Sequence, residues 1–495
     1  MNLSTEQENK KEDVPTKTFD NLTRLPSYGV GAVAGSDQLL RKLGNRQIQL
    51  IAIGGSIGTG LFVSIGNGLH QAGPAGLLLA FIWYCIMVAF VNNGVAEMIV
   101  QYPVAGGFIR LAGQFVDDAW GFMAGWNCEH RTLPFKKNLL NLLVVDVYGE
   151  AEFWLSGGKV ILVLSLFMFT FITMVGGNPK KDAYGFRYWS NPGPFAGDTP
   201  LARWEGYLAA IWNVSFSVVG PEYISLIAAE AKHPRKYMKS AYKIVYYRFG
   251  LFFIGSGIAV GIVLPYNDPT LVSILRGSGS GVGTAAASPY VIAMKNLSVT
   301  VFPHIVNFLL CTSIFSAGNT YVYCATRSLY SLAIEERAPK FLKKCTKKGI
   351  PIYCFFVVMC FAMLGFLQAG KSGARVLGIL VNLVKERGYI GSVFFILVVG
   401  VYGYATFDPF DVESFFGCYG MTIVAIILFI GWKVVKRTSF KDPREVDLIW
   451  ERPIIDAYEA STIDPINSFW GELGDLVLLH RRKAGRTEEL GQESN

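Results

Sequence analysis

Stretches of about 20 predominantly apolar residues recur along this 495-residue chain, and no other feature limits its fold as tightly. Each is long enough to cross a hydrocarbon layer as a helix. Inside that layer the backbone finds no hydrogen-bond partner in the lipid, so segments of this length must be helical. Nine qualify, near 50 to 69, 75 to 100, 151 to 176, 207 to 230, 244 to 264, 300 to 324, 351 to 369, 388 to 407 and 413 to 434. Three further apolar pieces, near 118 to 127, 138 to 147 and 374 to 384, have about half the required length and read as remnants of spans. Only 17% of the residues are charged, against roughly 25% in a soluble domain. The expected class is an all-α polytopic membrane protein.

Loop charge sets the expected orientation. Arg41, Lys42 and Arg46 precede the first span, "KHPRKYMKSAYK" follows the fourth and "RAPKFLKKCTKK" the sixth, so these face the cytosol by the positive-inside rule. The Gly-, Pro- and Ser-rich segments at 176–200 and 265–289 are then external loops. Residues 1–46 form a polar tail without a signal peptide, 47–434 the membrane domain, and 435–495 a second tail beginning "KVVKRTSFKDPR"; both tails are expected in the cytosol. The net charge of +8 collects at span ends, the pattern of membrane-flanking loops and not of a nucleic-acid surface. The eight cysteines show neither metal nor disulfide spacing and read as reduced packing residues. No nucleophile, base and orienter occur together, there is no phosphate loop, and no cofactor or metal is expected. The chain does not read as an enzyme.

Two spans interrupt themselves. "AIGGSIGTGLF" carries Gly54, Gly55, Gly58 and Gly60 inside the first, and "NVSFSVVGPEYISLIAAE" places Gly220 and Pro221 beside Glu222 within the fourth. Backbone groups freed at membrane depth are tolerated where they line a cavity or hold a ligand. The N–H groups opening the following half-helix suit an anion such as a carboxylate. Close packing through small residues is the competing reading for Gly54 and Gly58, and a simple kink the one for Pro221. Two such breaks, each opening a run of helices, point to an inverted-repeat transporter with its site near the midplane.

The stretches "RKLGNRQIQLIAIGGSIGTGLF", "YGEAEFWLSGGKV", "SPYVIAMKN", "PHIVNFLLCTSIFSAGNTYVYCATRSLY" and "DLIWERPIIDAYEAS" resemble fungal amino-acid permeases of the amino acid–polyamine–organocation superfamily, from Arg41 to Ser461. The resemblance implies a leucine-transporter-type fold of two inverted five-helix repeats plus two helices. It also implies proton-coupled uptake of amino acids at the plasma membrane, so amino acids, protons and the lipid bilayer are the expected partners. On this chain the loop of Gly55, Ser56, Ile57, Gly58, Thr59 and Gly60 would take the substrate carboxylate. Ser217, Val218 and Gly220 would take the ammonium, with Glu222 beside them. In sodium-coupled relatives of the fold a cation lies between the first and eighth helices, and the resemblance implies that Lys159 replaces it and cycles a proton. The other reading of Lys159 is a side chain snorkelling to the surface. Glu97 is a candidate for proton transfer or for a gating contact. Asn319 and Ser316 either line the coupling site or bond between helices, and Trp212, Phe216 and Tyr223 are candidates to cover the substrate side chain.

The chain departs from the family between Trp126 and Tyr148 and between Leu383 and Gly388, where spans 3, 4 and 10 are shortened. If the remnants do not cross, nine spans put the two basic ends on opposite sides of the membrane. Either a remnant crosses or the chain is damaged, through a misread splice pattern or a degenerate gene. Three readings remain open: a transporter, a transporter-like amino-acid sensor, and a non-functional product retained in the cell without flux.

Overall fold

The computed structural model describes residues 39–58, 60–129, 145–218, 221–276, 287–346, 349–363, 410, 412–442, 444–462, 468–472 and 474. In chain order the helices are α1 (Asn45–Ser56), α2 (Ile65–Gln101), α3 (Phe108–Phe115), α4 (Asp118–Glu129), α5 (Val145–Met174), α6 (Arg187–Ser190), α7 (Pro200–Ser217), α8 (Pro221–Ile227), α9 (Pro234–Arg248), α10 (Gly255–Val263), α11 (Pro269–Leu275), α12 (Pro289–Asn296), α13 (Phe302–Ile334), α14 (Ile352–Met363), α15 (Val412–Lys436) and α16 (Arg452–Ser461). No strand ladder forms among the described residues; Leu43 and Ala231 make an isolated parallel bridge. Among the described residues, four continuous helical stretches are long and apolar enough to cross a membrane: Gly60–Gln101, Tyr148–Met174, Pro234–Val263 and Phe302–Ile334.

The difference from nine expected spans has identifiable sources. The spans near 50 to 69 and 207 to 230 are each broken into two shorter helices, α1 with the turn after it and α7 with α8. The segments 374 to 384 and 388 to 407, most of 138 to 147 and the end of 351 to 369 lie outside the described residues. The remnant near 118 to 127 is the 12-residue α4. The span expected from 244 begins ten residues earlier, because "PRKYMKSAYK" continues the helix. Lys236, Lys239 and Lys243 lie on its exposed face while Tyr237, Met238, Ala241, Tyr242 and Val245 are buried. A hydropathy window averages over those two faces and misses the amphipathic turns.

Spans one and two meet at a sharp corner. A π-helical turn at Gly60–Ser64 leads into α2, which bends at Gly73 with φ +74° ahead of Pro74. A Cβ at Gly73 would stand 2.8 Å from the Pro194 carbonyl oxygen, so both conformation and space demand glycine. The loop 176–200 crosses this corner, where Ala75 N–H donates to Pro194 O (2.9 Å) and Ala196 N–H to Ala72 O (3.1 Å). Within that loop the exposed Arg187 fork donates to both oxygens of Asp182 (2.8 and 2.6 Å) and holds its carboxyl below the usual range.

Polarity in the bundle is turned inside out. On α5, Trp154, Ile161 and Met168 repeat every seven residues on the exposed side, while Glu152, Ser156, Lys159, Thr170 and Thr173 are buried. An apolar exterior around a polar seam suits a helix whose solvent is lipid. α13 meets α5 along that seam with buried Ser313, Ser316, Asn319 and Thr320.

The end of the bundle carrying the basic loops is tied together by ionic contacts. Glu230 accepts from Arg327 Nε (2.8 Å) and from the Tyr323 hydroxyl. The Arg327 guanidinium lies 3.6 Å from the Tyr323 ring centroid, and that ring stacks on Tyr148 at 4.2 Å. The backbone oxygen of Glu230 also accepts from Lys42 and Leu43 N–H (2.9 and 2.8 Å), which fixes the start of α1 beside the end of α8. From the second tail, Glu472 accepts Asn45 and Arg46 N–H (2.8 Å each) at the N-terminus of α1. Arg235, in the first turn of α9, pairs with Asp456 (2.5 Å) and Glu459 (3.3 Å) of α16.

Removing one partner of the buried Glu230–Arg327 pair strands the other charge. Arg327→Met is expected to cost about 3–5 kcal/mol, seen as a lower unfolding temperature in detergent. Adding Glu230→Leu should recover most of that loss. A double variant no more stable than Arg327→Met would contradict the pairing.

Candidate functional site

α1 is 12 residues long, about 18 Å, and ends well short of a full crossing. Its last helical residue is Ser56, and Ile57 is extended (φ −94°, ψ 100°). The second break has the same form: α7 stops at Ser217, Val218 leaves helical geometry (φ −87°, ψ 83°), and α8 begins at Pro221. α1 packs on α8, and the Gly60–Ser64 turn packs on α7. That crossed arrangement lays the two broken spans antiparallel with their interruptions at one depth. Beyond the breaks, Asn213 of α7 donates to Gln71 (2.8 Å) and accepts from Asn67 (3.2 Å), both on α2.

The structure brings several of the expected residues to this level. Ile57 and Gly58 form the first turn, Ser217 and Val218 are buried at the second, and Trp212 and Tyr223 are buried on either side of it. Tyr223 lies 5.7 Å from the Tyr321 ring of α13. Thr59 and Gly220 lie outside the described residues, as do the side chains of Ser56, Phe216 and Glu222; Gly55 lies in the last turn of α1. A Cβ on Gly58 would stand 3.3 Å from that of Ala317, so α13 approaches the first turn closely. Gly58 thus has a packing role whatever its backbone binds.

The seam between α5 and α13 adjoins the first break. Ser313 Oγ donates to Ile57 O at 3.4 Å. Three residues further along α13, Ser316 donates to Oε1 of Glu152, which also accepts from Ser156 (3.2 Å) and Thr320 (3.3 Å). Glu152 is 0% exposed, and its Oε2 has no hydrogen-bond partner among the described residues. Lys159 is 1% exposed and does not reach the surface. It follows Glu152 by seven residues, two turns along the same face of α5. Asn319 is buried in the same stretch of α13 as Ser316 and Thr320, whereas Glu97 stands apart, exposed on α2.

Glu152 is the residue that the sequence reading passed over. Its signal was present, since a carboxylate two turns before Lys159 on one helix face is an ionisable group at membrane depth. Arg248, buried midway along the Pro234–Val263 helix, was passed over for the same reason: one charge in an apolar run hardly changes a window average.

Comparison with known proteins places this geometry in context. The amino acid permease family model matches residues 47–136 and 138–386. The match divides and ends within the two segments where shortened spans are expected from the sequence. The general amino acid permease AGP2 of Saccharomyces cerevisiae is 36% identical over 501 residues, covering 85% of this chain and 83% of that protein. A proline-specific permease of Emericella nidulans is 31% identical, covering 84% of this chain and 89% of that protein. Among solved structures, a nucleobase-cation-symport-1 family transporter in a closed conformation with bromovinylhydantoin bound aligns at a TM-score of 0.39 and 12% identity, covering 86% of this chain and 98% of that one.

A hydrogen bond to a buried carboxylate outweighs one to a neutral carbonyl at the limit of contact. Ser316→Ala is therefore expected to lower stability by about 1.5–3 kcal/mol, and Ser313→Ala by under about 1 kcal/mol. Thermal unfolding of the purified protein in detergent tests the ranking, and equal losses would count against the Glu152 network.

Proposed function

The chain belongs to the amino acid permease family, and from that premise we propose that it is a secondary active transporter, carrying amino acids inward with protons across the plasma membrane. The observation that carries the proton assignment is Glu152, a buried carboxylate with three hydroxyl donors on one oxygen and none on the other. A transporter of this kind rather than an enzyme also fits two half-helix pairs broken at one depth. Antiparallel broken spans are what a leucine-transporter-type fold of inverted repeats requires.

In this mechanism the first break, Gly55, Ser56, Ile57, Gly58, Thr59 and Gly60, receives the substrate carboxylate on its Gly58–Gly60 side, because the start of the following half-helix carries partial positive charge while the Ile57 N–H is already given to Ile53 O. Ser217, Val218 and Gly220 present carbonyl oxygens to the ammonium, and Glu222 adds negative charge nearby. Coupling belongs to the α5–α13 seam. Glu152 takes a proton on its open oxygen, Lys159 on the same face holds or yields one, and Asn319 and Ser316 position them from α13. Ser313 links the seam to the break through the Ile57 carbonyl. A change of charge at Glu152 then alters what the first half-helix packs against. Glu97, exposed on α2, fits a contact near the membrane surface better than a proton relay. The basic loops and both tails face the cytosol by the positive-inside rule.

Expression in cells lacking their own amino-acid uptake tests this reading, beginning with surface localisation. Uptake of radiolabelled amino acids is expected to be saturable, to rise with external acidification and to ignore sodium; dependence on sodium would overturn the proton assignment. Retention inside the cell without flux would favour a chain disabled by its shortened spans.

Two substitutions probe the parts separately. Glu152→Gln should abolish accumulation against a gradient while leaving amino-acid exchange, since a neutral amide cannot cycle a proton. Gly58→Val should remove both, because its branched side chain enters the space held by Ala317 and the ligand. Full accumulation by either variant at normal surface abundance would refute its assignment.

A further inference from the structure

A buried charge outside the seam packs against the first half-helix. Arg248 is 3% exposed and is the fifteenth of the thirty residues of Pro234–Val263. It lies five residues, about 7.5 Å of helix, inside Lys243, the last of the exposed lysines at the start of that helix, and is buried against α1 instead of sharing their exposed face. An ionisable group buried inside a membrane span is functional by default.

The Nη1 of Arg248 donates to the carbonyl oxygen of Ala52 at 2.5 Å. In an α-helix that carbonyl points toward the N–H of the residue four later, here Ser56, the last of α1. The guanidinium therefore sits level with the C-terminal end of the half-helix, beside the turn at Ile57 and Gly58. That end carries roughly half an elementary negative charge, and inside a bilayer no water screens it. Arg248 is also the last residue before the π-helical turn Phe249–Ile254. A widened turn of this kind typically marks a functional position. A second contact holds the register of the two helices, as Gln49 Nε2 donates to Ser240 Oγ at 3.1 Å.

We propose that Arg248 is a positioning residue, a permanent cation in the membrane interior that caps the end of α1 and fixes where its chain leaves the helix. Arginine suits this task because it stays protonated throughout, unlike a lysine or carboxylate that changes charge during a cycle. The first half-helix is then held from α9 by a constant charge and from the α5–α13 seam by groups that titrate. Only the second hold varies with proton binding. The inference rests on the transport reading for its consequence in uptake, but not for its local structural effect.

Hydrogen–deuterium exchange of the purified full chain in lipid nanodiscs separates the two. Arg248→Met is expected to raise exchange of the amides at 53–62 by at least about tenfold, the worth of one charge-assisted hydrogen bond, without comparable change in α13. Arg248→Lys keeps the charge and should stay nearer the parent, and tens of millimolar guanidinium should restore protection to Arg248→Ala. A packing role alone would give no such rescue. Should Arg248→Met fail to fold, Arg248→Gln keeps a donor without the charge and should still raise exchange at 53–62. Unchanged exchange there in Arg248→Met or Arg248→Gln overturns the proposal. Absence of uptake by the parent chain counts against the transport reading alone, since the exchange result needs no substrate. With uptake present, Arg248→Met should raise KM about tenfold more than it lowers kcat.

Discussion

A helix that stops halfway across a membrane leaves carbonyl and amide groups where lipid can satisfy none of them, and each one left bare costs several kcal/mol. The rest of this bundle is arranged around two such stops. At the first, the Ile57 carbonyl takes a hydroxyl from α13, and the Ala52 carbonyl, already directed at Ser56 N–H in the last turn of α1, takes a guanidinium from α9 as well. α13 approaches the turn closely because Gly58 has no side chain to hold Ala317 off. Two neighbouring helices, α9 and α13, are thus committed to stabilising one interruption, which fixes their relative depth.

The same requirement explains the polar seam. Glu152 is tolerated in α5 because α13 supplies hydroxyls along the facing side, while the opposite face of α5 exposes Trp154, Ile161 and Met168. The bonding is uneven: one Glu152 oxygen is crowded with donors and the other has none among the described residues. Structural pairs in this chain are better satisfied. Glu230 uses both carboxylate oxygens, one toward Arg327 and one toward Tyr323. That contrast separates a carboxylate bonded on both oxygens from one bonded on a single oxygen.

Contacts at the basic end set how freely the first half-helix can move. The start of α1 is held by the Glu230 carbonyl from the α8 side and by Glu472 from the tail. The Glu472 contacts are only partly buried, whereas Glu230 and Leu43 are buried, as is the Arg248 contact at the other end. The half-helix is therefore held by buried contacts at both ends, and the tail is its more exposed hold.

How much of this was legible in the sequence depended on whether the signal was local. Apolar runs of span length fixed the helical class, since lipid permits nothing else, and Gly54 to Gly60 and Gly220–Pro221 marked the breaks because glycine and proline act on their own backbone. Long motifs carried the family. Span boundaries failed where a helix turns amphipathic, as at Lys236, Lys239 and Lys243, or is cut in two, as α1 and α7 are. Lys159 and Asn319 could be suspected from residue type, but the α13 hydroxyls on Glu152 and the reach of Arg248 to Ala52 join residues 164 to 196 positions apart. Hydropathy and spacing along the chain hold no record of such pairs, because packing between helices, and not the helices themselves, decides which buried charge faces which broken end.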